Sequence, residues 1–382
     1  MSNEWTEREL DELFDLSSGK SITPGAEGQY PAFGSNGLIG GSDKSLFDAG
    51  IIIGRVGAYC GSIAISNSPF WASDNTIVAL PKEGIDLRFA YFLLHNARLN
   101  RHAGGSAQPL LTQATLKPLR FAVPSLHTQR RVASILGAYD DLIEVNRGRI
   151  ALLEEMAQRL FAEIIIRPIG QFPEAAGTSK KADLPKGWKI EPLANVADII
   201  MGQSPPSAEL NTDGKGLVFH QGVSDFGELF PGRRVFCDYV TGKRVAEEGD
   251  ILFSVRAPVG RINCATEKMI LGRGVSAIRH RDGKRAYLLA HLRRTFHTTD
   301  LIGNGAIYRA VNRGDVERVS IVLAPPEIVS TLNGQLEDIL KLVWALHFSN
   351  IALAGSRDLL VPRLISGELS FSSAERELEA VA

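Results

Sequence analysis

The chain has little cysteine. Only Cys60, Cys237 and Cys264 occur among its 382 residues, and no two of them stand in CxxC spacing. That argues against a disulfide framework and a thiolate zinc site, and makes a reducing cytoplasm the expected compartment. Long uninterrupted apolar runs are also missing: the isoleucine runs at 51–53 and 164–166 are far too short to cross a bilayer. Residues 1–15 are acidic and polar, unlike a secretory signal. There is no excess of charge of either sign, because 42 basic residues face 43 acidic ones. What is present, 44% hydrophobic and 22% charged residues, describes a globular protein of two or three domains with real cores.

Catalytic signatures are scarce as well. No GxxxxGK[ST] phosphate loop occurs. The two Pro-Pro pairs are followed by Ser207 and Glu327, so neither forms the N/D-P-P-Y tetrapeptide of an amino-methyltransferase. Nuclease-like fragments occur at Asp213, Gly214, Lys215 and at Asp282, Gly283, Lys284. No Pro-Asp precedes either, and Asp-Gly is first of all a turn signal. The eight histidines show neither HxH nor HExxH spacing, so no metal site is expected. These absences favour a binding protein over its rival, a self-sufficient methyltransferase or nuclease.

Charge is unevenly distributed. Residues 1–125 carry 10 basic and 12 acidic side chains, whereas 186–325 carry 20 and 15. The basic residues of the second region include Arg233, Arg234, Lys243, Arg244, Arg256, Arg261, Arg273, Arg279, Arg281, Lys284, Arg285, Arg293 and Arg294. Such a region is a weak pointer to nucleic acid and is equally what a solvated surface looks like.

The chain repeats itself. Trp5, Leu10, Asp15, Gly19 and Ser21 recur as Trp188, Leu193, Asp198, Gly202 and Ser204 at an offset of 183. "GIIIGRVGAYCGSI" from Gly50 aligns with "GDILFSVRAPVGRI" from Gly249 at 199, and "GSAQPLLTQATLKPLRFAV" from Gly105 with "GAIYRAVNRGDVERVSIVL" from Gly305 at 200. Ile135, Leu142 and Ile150 match Leu336, Val343 and Ile351 at 201. Four blocks in one order mean a domain duplication. About 16 extra residues are expected in the second copy, assigned to the polar stretch "PPSAELNTDGKG" as a loop.

Each copy holds short β-like runs (51–56, 62–65, 76–80 and 119–123; then 251–255, 275–278 and 319–323) interrupted by helical stretches at 87–99 and 285–295. Pro124 or Pro325 closes each copy, and a long helix follows. In the first helix Val132, Ile135, Tyr139, Leu142, Leu153, Met156 and Leu160 form a 3,4-spaced seam, broken by Asn146 and Arg149 and stopped by Pro168. The second shows Leu336, Ile339, Val343, Leu346, Asn350, Leu353 and Leu360, ending before Pro362. Neither seam can stand alone, so the helices are expected to pack on each other as a spacer; the alternative is two separate helices, each packed on its own domain. Roughly 40 residues at ~1.5 Å each make ~60 Å. The fold class expected is α+β: an internal duplication giving two globular domains joined by two long antiparallel coiled-coil helices.

At this point a family resemblance enters. "TQRRVASILGAYDDLIEVNRGRIALLEEMAQRLF" (128–161) resembles the central conserved region of the specificity subunits of type I restriction–modification systems. "LPKGWKIEPLANVA" (184–197) resembles the opening of their second target-recognition domain, and "RDLLVPRLISGEL" (357–369) their C-terminal conserved segment. "GGSAQPLLTQATLKPLRFAVP" (104–124) looks like the end of a recognition domain. The second helix, "LKLVWALHFSNIALAGSRDLL", departs from the pattern: it lacks the DD–E–N of the first, aligns His347 with Asn146, and carries Gly355. The resemblance implies target-recognition domains at 1–124 and 187–325, conserved spacer helices at 125–167 and 326–361, a linker at 168–186 and a tail at 362–382. It implies a non-catalytic, cytoplasmic subunit that reads a bipartite, asymmetric site on double-stranded DNA. Two methylation subunits would dock on it and motor–nuclease subunits would complete the complex. Methyl donor, ATP and magnesium would sit in those partners, with no cofactor in this chain. The alternative is a related restriction system whose partner both cleaves and methylates.

Bases are read by Arg, Lys, Asn and Gln, and phosphates by basic and hydroxyl groups, from loops on a rigid sheet. On that ground the candidate DNA contacts in the first copy are Lys20, Tyr30, Asn36, Arg55, Tyr59, Gln108 and Lys117. In the second they are Gln203, His220, Gln221, Arg256, Arg261, Tyr308 and Arg309.

Overall fold

The computed structural model describes residues 5–369 apart from 24, 26–27, 106–107, 171, 173–183, 228–229, 239–241 and 298–310. Contacts divide the chain into two compact units, Met1–Asn146 with Ser349–Ala382, and Arg147–Phe348.

The first unit runs β1 (Thr6–Glu9), α1 (Leu10–Leu13), β2 (Phe14–Ser18), β3 (Tyr30–Gly34), β4 (Gly37–Ser42), β5 (Gly50–Gly54), β6 (Ile63–Ser66), β7 (Trp71–Ala72), β8 (Thr76–Pro81), α2 (Leu87–Asn96), α3 (Gln113–Leu116), β9 (Arg120–Val123) and the first part of α4 (Leu126–Phe161). A four-stranded sheet, β2-β8-β5-β6, forms its centre; β4-β3-β7 makes a second sheet, and β1 pairs with β9. All of β5 is buried, which is why it reads as an unbroken apolar run. Its side chains alternate: Ile51 and Ile53 join Phe89 and Leu93 of α2 in one cluster, while Ile52 joins Phe70 and Val78 in another.

The second unit continues with α5 (Arg167–Ile169), β10 (Lys189–Pro192), α6 (Leu193–Val196), β11 (Ala197–Met201), β12 (Leu210–Asn211), β13 (Leu217–His220), β14 (Phe236–Cys237), β15 (Val245–Ala246), β16 (Ile251–Ser254), β17 (Ile262–Cys264), β18 (Met269–Leu271), β19 (Val275–His280), α7 (Arg285–His297), α8 (Arg313–Glu317), β20 (Ser320–Leu323) and α9 (Pro326–Ile365), the last shared with the first unit. Its central sheet is β11-β19-β16-β17 and its small pair β10-β20. The match to the first unit holds at single hydrogen bonds. Leu10 N–H donates to the Leu119 carbonyl and Leu193 N–H to the Val319 carbonyl, both at 2.8 Å.

The duplication is real, and the structure moves three of its expected details. Burial pairs Ile51, Ile52 and Ile53 with Ile251, Leu252 and Phe253, an offset of 200 instead of 199. In a strand one residue is the difference between opposite faces. The extra residues of the second copy are not mainly in 205–216. Ser73 N–H bonds the Phe33 carbonyl and Gly272 N–H the His220 carbonyl, so the offset has grown only from 183 to 187 by His220. Most of the insertion follows, between His220 and Ile251, and contributes β14 and β15 to a five-stranded sheet where the first copy has three strands. Within 205–216 itself lies a short strand, β12.

The buried seam of α4 runs through Val132, Leu136, Tyr139, Ile143, Asn146 and Ile150, continuing through half-buried Leu153 and Ala157. Of the expected seam, Val132, Ile135, Tyr139 and the interrupting Asn146 are buried and Leu142, Leu153 and Leu160 half-buried, but Arg149 and Met156 are exposed. A 3,4 pattern and a 4,3 pattern coincide at every seventh residue, and burial decides between them. In α9 the seam is Leu332, Leu336, Val343, Leu353 and Leu360, with Ile339, Leu346 and Asn350 half-buried. It sits at an offset of 200 from that of α4, so Asn146 corresponds to Leu346 and not to His347. Within the first unit Asn146 faces Asn350 and Asp140 faces Arg357, an antiparallel pairing. Within the second, Ile150 and Phe161 share a core with Leu336, Leu340 and Val343.

Neither proline ends its helix where expected. After Phe161 a π-helical turn (Ala162–Ile166) leads into α5, whose first turn accepts Pro168. Pro362 lies inside α9, which runs on to Ile365. By length and composition α9 is also apolar enough to cross a membrane, which a count of unbroken runs misses; 17% of its most apolar window is buried.

Candidate nucleic-acid interface

The central sheet of each unit ends in a rim of tight turns, and most of the expected contact residues fall there. In the first unit the rim is built from the ends of β2 and β5 and the starts of β6 and β8. Gly19 N–H bonds the Thr76 carbonyl and Lys20 N–H the Ala72 carbonyl, while Trp71 Nε1 donates to the Lys20 carbonyl at 2.9 Å. Gly19 has to be glycine, because a Cβ would meet the Ser73 carbonyl oxygen at 2.0 Å. The tip of the β3–β4 hairpin, carrying exposed Asn36, is tied down by Ser35 Oγ donating to the Asn75 carbonyl at 2.6 Å. That carbonyl also receives Arg55 N–H at 3.0 Å, and the Arg55 carbonyl receives Leu111 N–H at 2.8 Å.

Lys20, Asn36, Arg55, Tyr59 and Gln108 thus share one rim. Tyr59 is 60% exposed, and Gln108 is exposed too. Arg55 is half-buried, with Nε enclosed and without a hydrogen-bond partner among the described residues. Tyr30 stands at the open end of the hairpin, opposite Ser42 and away from the tip. Lys117 is misplaced by the sequence reading: it lies at the other end of β2, with Nζ 2.9 Å from Asp11, the residue preceding Glu12 in α1.

The second rim repeats the first bond for bond. Gly202 N–H bonds the Val275 carbonyl, Val255 N–H the Gly274 carbonyl, and Val311 N–H the Val255 carbonyl. A Cβ on Gly202 would meet the Gly272 carbonyl oxygen at 2.1 Å, as one on Gly19 meets that of Ser73. Gln203, Gln221, Arg256 and Arg261 are exposed on or beside this rim. Ser204 Oγ donates to Gln221 Oε1 at 2.9 Å and accepts Arg273 N–H at 3.3 Å. Arg256 is the counterpart of Val56, and Val255 the counterpart of Arg55, so the two arginines flank the same strand end one residue apart.

His220 is a correction. It is fully buried, because it takes the place of Phe33 on the inner side of its strand, and a side chain there cannot reach DNA. Tyr308 and Arg309 lie outside the described residues.

The basic surplus of 186–325 is also less available than its count suggests. Arg233, Lys243, Arg279, Arg281, Arg285 and Arg293 are ion-paired with Glu267, Glu209, Asp250, Asp198, Glu337 and Glu154. Asp250 is buried and receives Arg279 through two bonds of 2.7 and 2.6 Å, which raises the guanidinium pKa further. The Asp-Gly-Lys fragments are turns. Asn211 Oδ1 accepts the N–H groups of Asp213 and Lys215, and Gly214 and Gly283 adopt φ of +79° and +70°. Among the described residues no group of three or more His, Cys, Asp or Glu could hold a metal ion.

Sequence reasoning missed the turns that precede β8 and β19, with Asp74, Asn75 and Arg273 exposed on them. Only strand registration places residues 73–75 beside Arg55, and no local pattern marks them.

Comparison with known proteins agrees with this architecture. Residues 2–155 match the family model of the type I restriction modification DNA specificity domain. A putative type I restriction enzyme MjaX specificity subunit of Methanocaldococcus jannaschii is 28% identical over 69% of this chain, an alignment that spans 62% of that relative, less than two thirds of its length. The MjaIX specificity subunit of the same organism is 23% identical over 85% of this chain and 78% of its own. In fold, the crystal structure of the type I restriction–modification S subunit from M. genitalium covers 94% of this chain and 96% of its own, with a TM-score of 0.63 at 16% identity. Residues 2–155 are thus similar to the type I restriction modification DNA specificity domain, most of the chain is similar to type I specificity subunits, and its fold is that of a solved S subunit.

Proposed function

We propose that the chain is the DNA-recognition subunit of a type I restriction–modification complex, and that each rim reads one half of a split, asymmetric site. One observation carries this reading: two rims share a backbone bond for bond yet present unlike side chains, Arg55, Tyr59 and Gln108 in one, Gln203, Gln221 and Arg256 in the other. Like frames dock alike on a duplex, whereas unlike side chains select unlike bases.

The subunit is non-catalytic. Its helices set the distance between half-sites and dock two methylation subunits, to which motor–nuclease subunits are added in a cytoplasmic complex. Methyl donor, ATP and magnesium belong to those partners. Exposed apolar side chains on both helices support a docking role. Leu152 and Met156 of α4 are 62% and 56% exposed, and Leu342, Ile351 and Leu359 of α9 are 55%, 56% and 73% exposed.

The test is a map of methylated adenines in a host carrying the whole system. Two short non-palindromic half-sites separated by an unread spacer are expected. A continuous or palindromic motif would refute the reading, as would methylation or cleavage by the isolated chain.

A further inference from the structure

We infer that Asp74 and Arg273 are a matched pair of specificity-determining residues, one per rim, with opposite hydrogen-bonding character. The inference rests on the functional reading above and extends it to side chains outside the sequence-derived contact set.

The two residues occupy one position in the duplicated frame. Thr76 N–H bonds the Ser73 carbonyl and Val275 N–H the Gly272 carbonyl, so 73–76 and 272–275 are the same four-residue turn. Each turn is pinned on both sides. Ser73 N–H reaches the Phe33 carbonyl, and the Asn75 carbonyl accepts Arg55 N–H and Ser35 Oγ. Gly272 N–H reaches the His220 carbonyl, and the Gly274 carbonyl accepts Val255 N–H. Residue 74 or 273 is therefore held at the crest of a rigid turn, next to the strand end that carries Arg55 or Arg256. Both side chains are exposed, and no side-chain hydrogen bond or ion pair reaches either one among the described residues.

A carboxylate and a guanidinium at one location cannot share a job. A basic residue there would serve any phosphate, but an aspartate is repelled by phosphate and gains only from a base-edge donor, for which the cytosine amino group is the major-groove match. Arginine at the same place matches the two acceptors of guanine. Position 74/273 thus gives the two half-sites different bases through a single side-chain difference on an unchanged turn.

The experiment is selection of bound duplexes from a random DNA library by the assembled complex, using wild type, Asp74→Arg and Arg273→Gln. Expected is a split wild-type motif in which Asp74→Arg changes the preferred base at one position of one half from cytosine to guanine. Arg273→Gln should lower discrimination roughly 5- to 100-fold at one position of the other half. Asp74→Asn, which keeps the side-chain shape, guards against misfolding and should lose the cytosine preference at the same position. A split wild-type motif left unchanged by all three variants, or only a uniform change in affinity, would overturn the assignment and leave the functional reading standing. If the wild type selects no split motif, both fall.

Discussion

Asn146 Nδ2 donates to Asn350 Oδ1 at 3.0 Å, and in the second unit the residues at a 200-residue offset are Leu346 and Ile150, which share an apolar core. One half of the helix pair is therefore closed by an amide pair and the other by aliphatic packing. An amide pair set in a helix seam is a register device, since each partner is satisfied in only one alignment.

Replacing one member should cost more than replacing both. Asn146→Ala is expected to destabilise the chain by about 1–2 kcal/mol, because the Asn350 amide loses its partner. Asn146→Leu with Asn350→Leu is expected to be neutral or stabilising, with a looser register. Urea unfolding of the two singles and the double, read as a double-mutant cycle, checks this. Additive losses would mean that the pair is not coupled.

Acid should weaken the second unit through His291. This imidazole is fully buried; Nε2 accepts the Val322 N–H at 2.9 Å and Nδ1 lies 3.3 Å from Thr295 Oγ1. Burial pushes its pKa down from the ordinary 6.5 to about 3. A base whose folded pKa is lowered stabilises fully above its unfolded value, and that contribution falls as pH drops from 6.5 toward 3. The expected slope is about 1.4 kcal/mol per pH unit in that window. His291→Leu, which installs an apolar side chain of similar size, should flatten the slope. At pH 7 it should cost about 1–3 kcal/mol through the unpaired Val322 N–H. Urea midpoints at pH 7 and pH 5 decide it.

Salt dependence should separate rim arginines from paired ones. Arg256→Gln or Arg261→Gln is expected to reduce the slope of log K against log salt by about 1, the signature of one lost phosphate contact. Arg281→Gln removes a cation already 2.9 Å from Asp198 and should leave the slope nearly unchanged. Binding titrations over a range of salt concentrations are the measurement, and equal effects of all three would refute the distinction.

The helices as a ruler can be tested by insertion, but not in one helix alone. α4 and α9 each belong to both units, and the division falls between Asn146 and Arg147 in one and between Phe348 and Ser349 in the other. Four residues added at that place in both helices lengthen each by ~6 Å and keep the seam within roughly 40° of register. At ~3.4 Å per base pair, the spacer should grow by one to two base pairs with the half-sites unchanged. The same insertion in α4 only should abolish assembly, since Asn146–Asn350 and Ile150 with Leu346 cannot both be kept. Adenine mapping of the paired-insertion variant checks the spacer.

The sequence by itself determined the duplication, the α+β character of each copy and the presence of two long helices. These are carried by local signals. Trp5 and Trp188, or Gly19 and Gly202, recur because the same backbone needs them, and a run such as that at 51–53 is apolar wherever both faces of a strand are buried. It also marked Arg55 and Arg256 as a pair at one strand end. Only the tertiary structure decided which residues occupy the helix seam, that Lys117 faces Asp11 and that His220 stands inside the sheet. It alone gave Asp74 and Arg273 equivalent positions in the two copies. Each of those depends on strand register or helix rotation, where a shift of one residue moves a side chain to another face while leaving composition and spacing almost as they were.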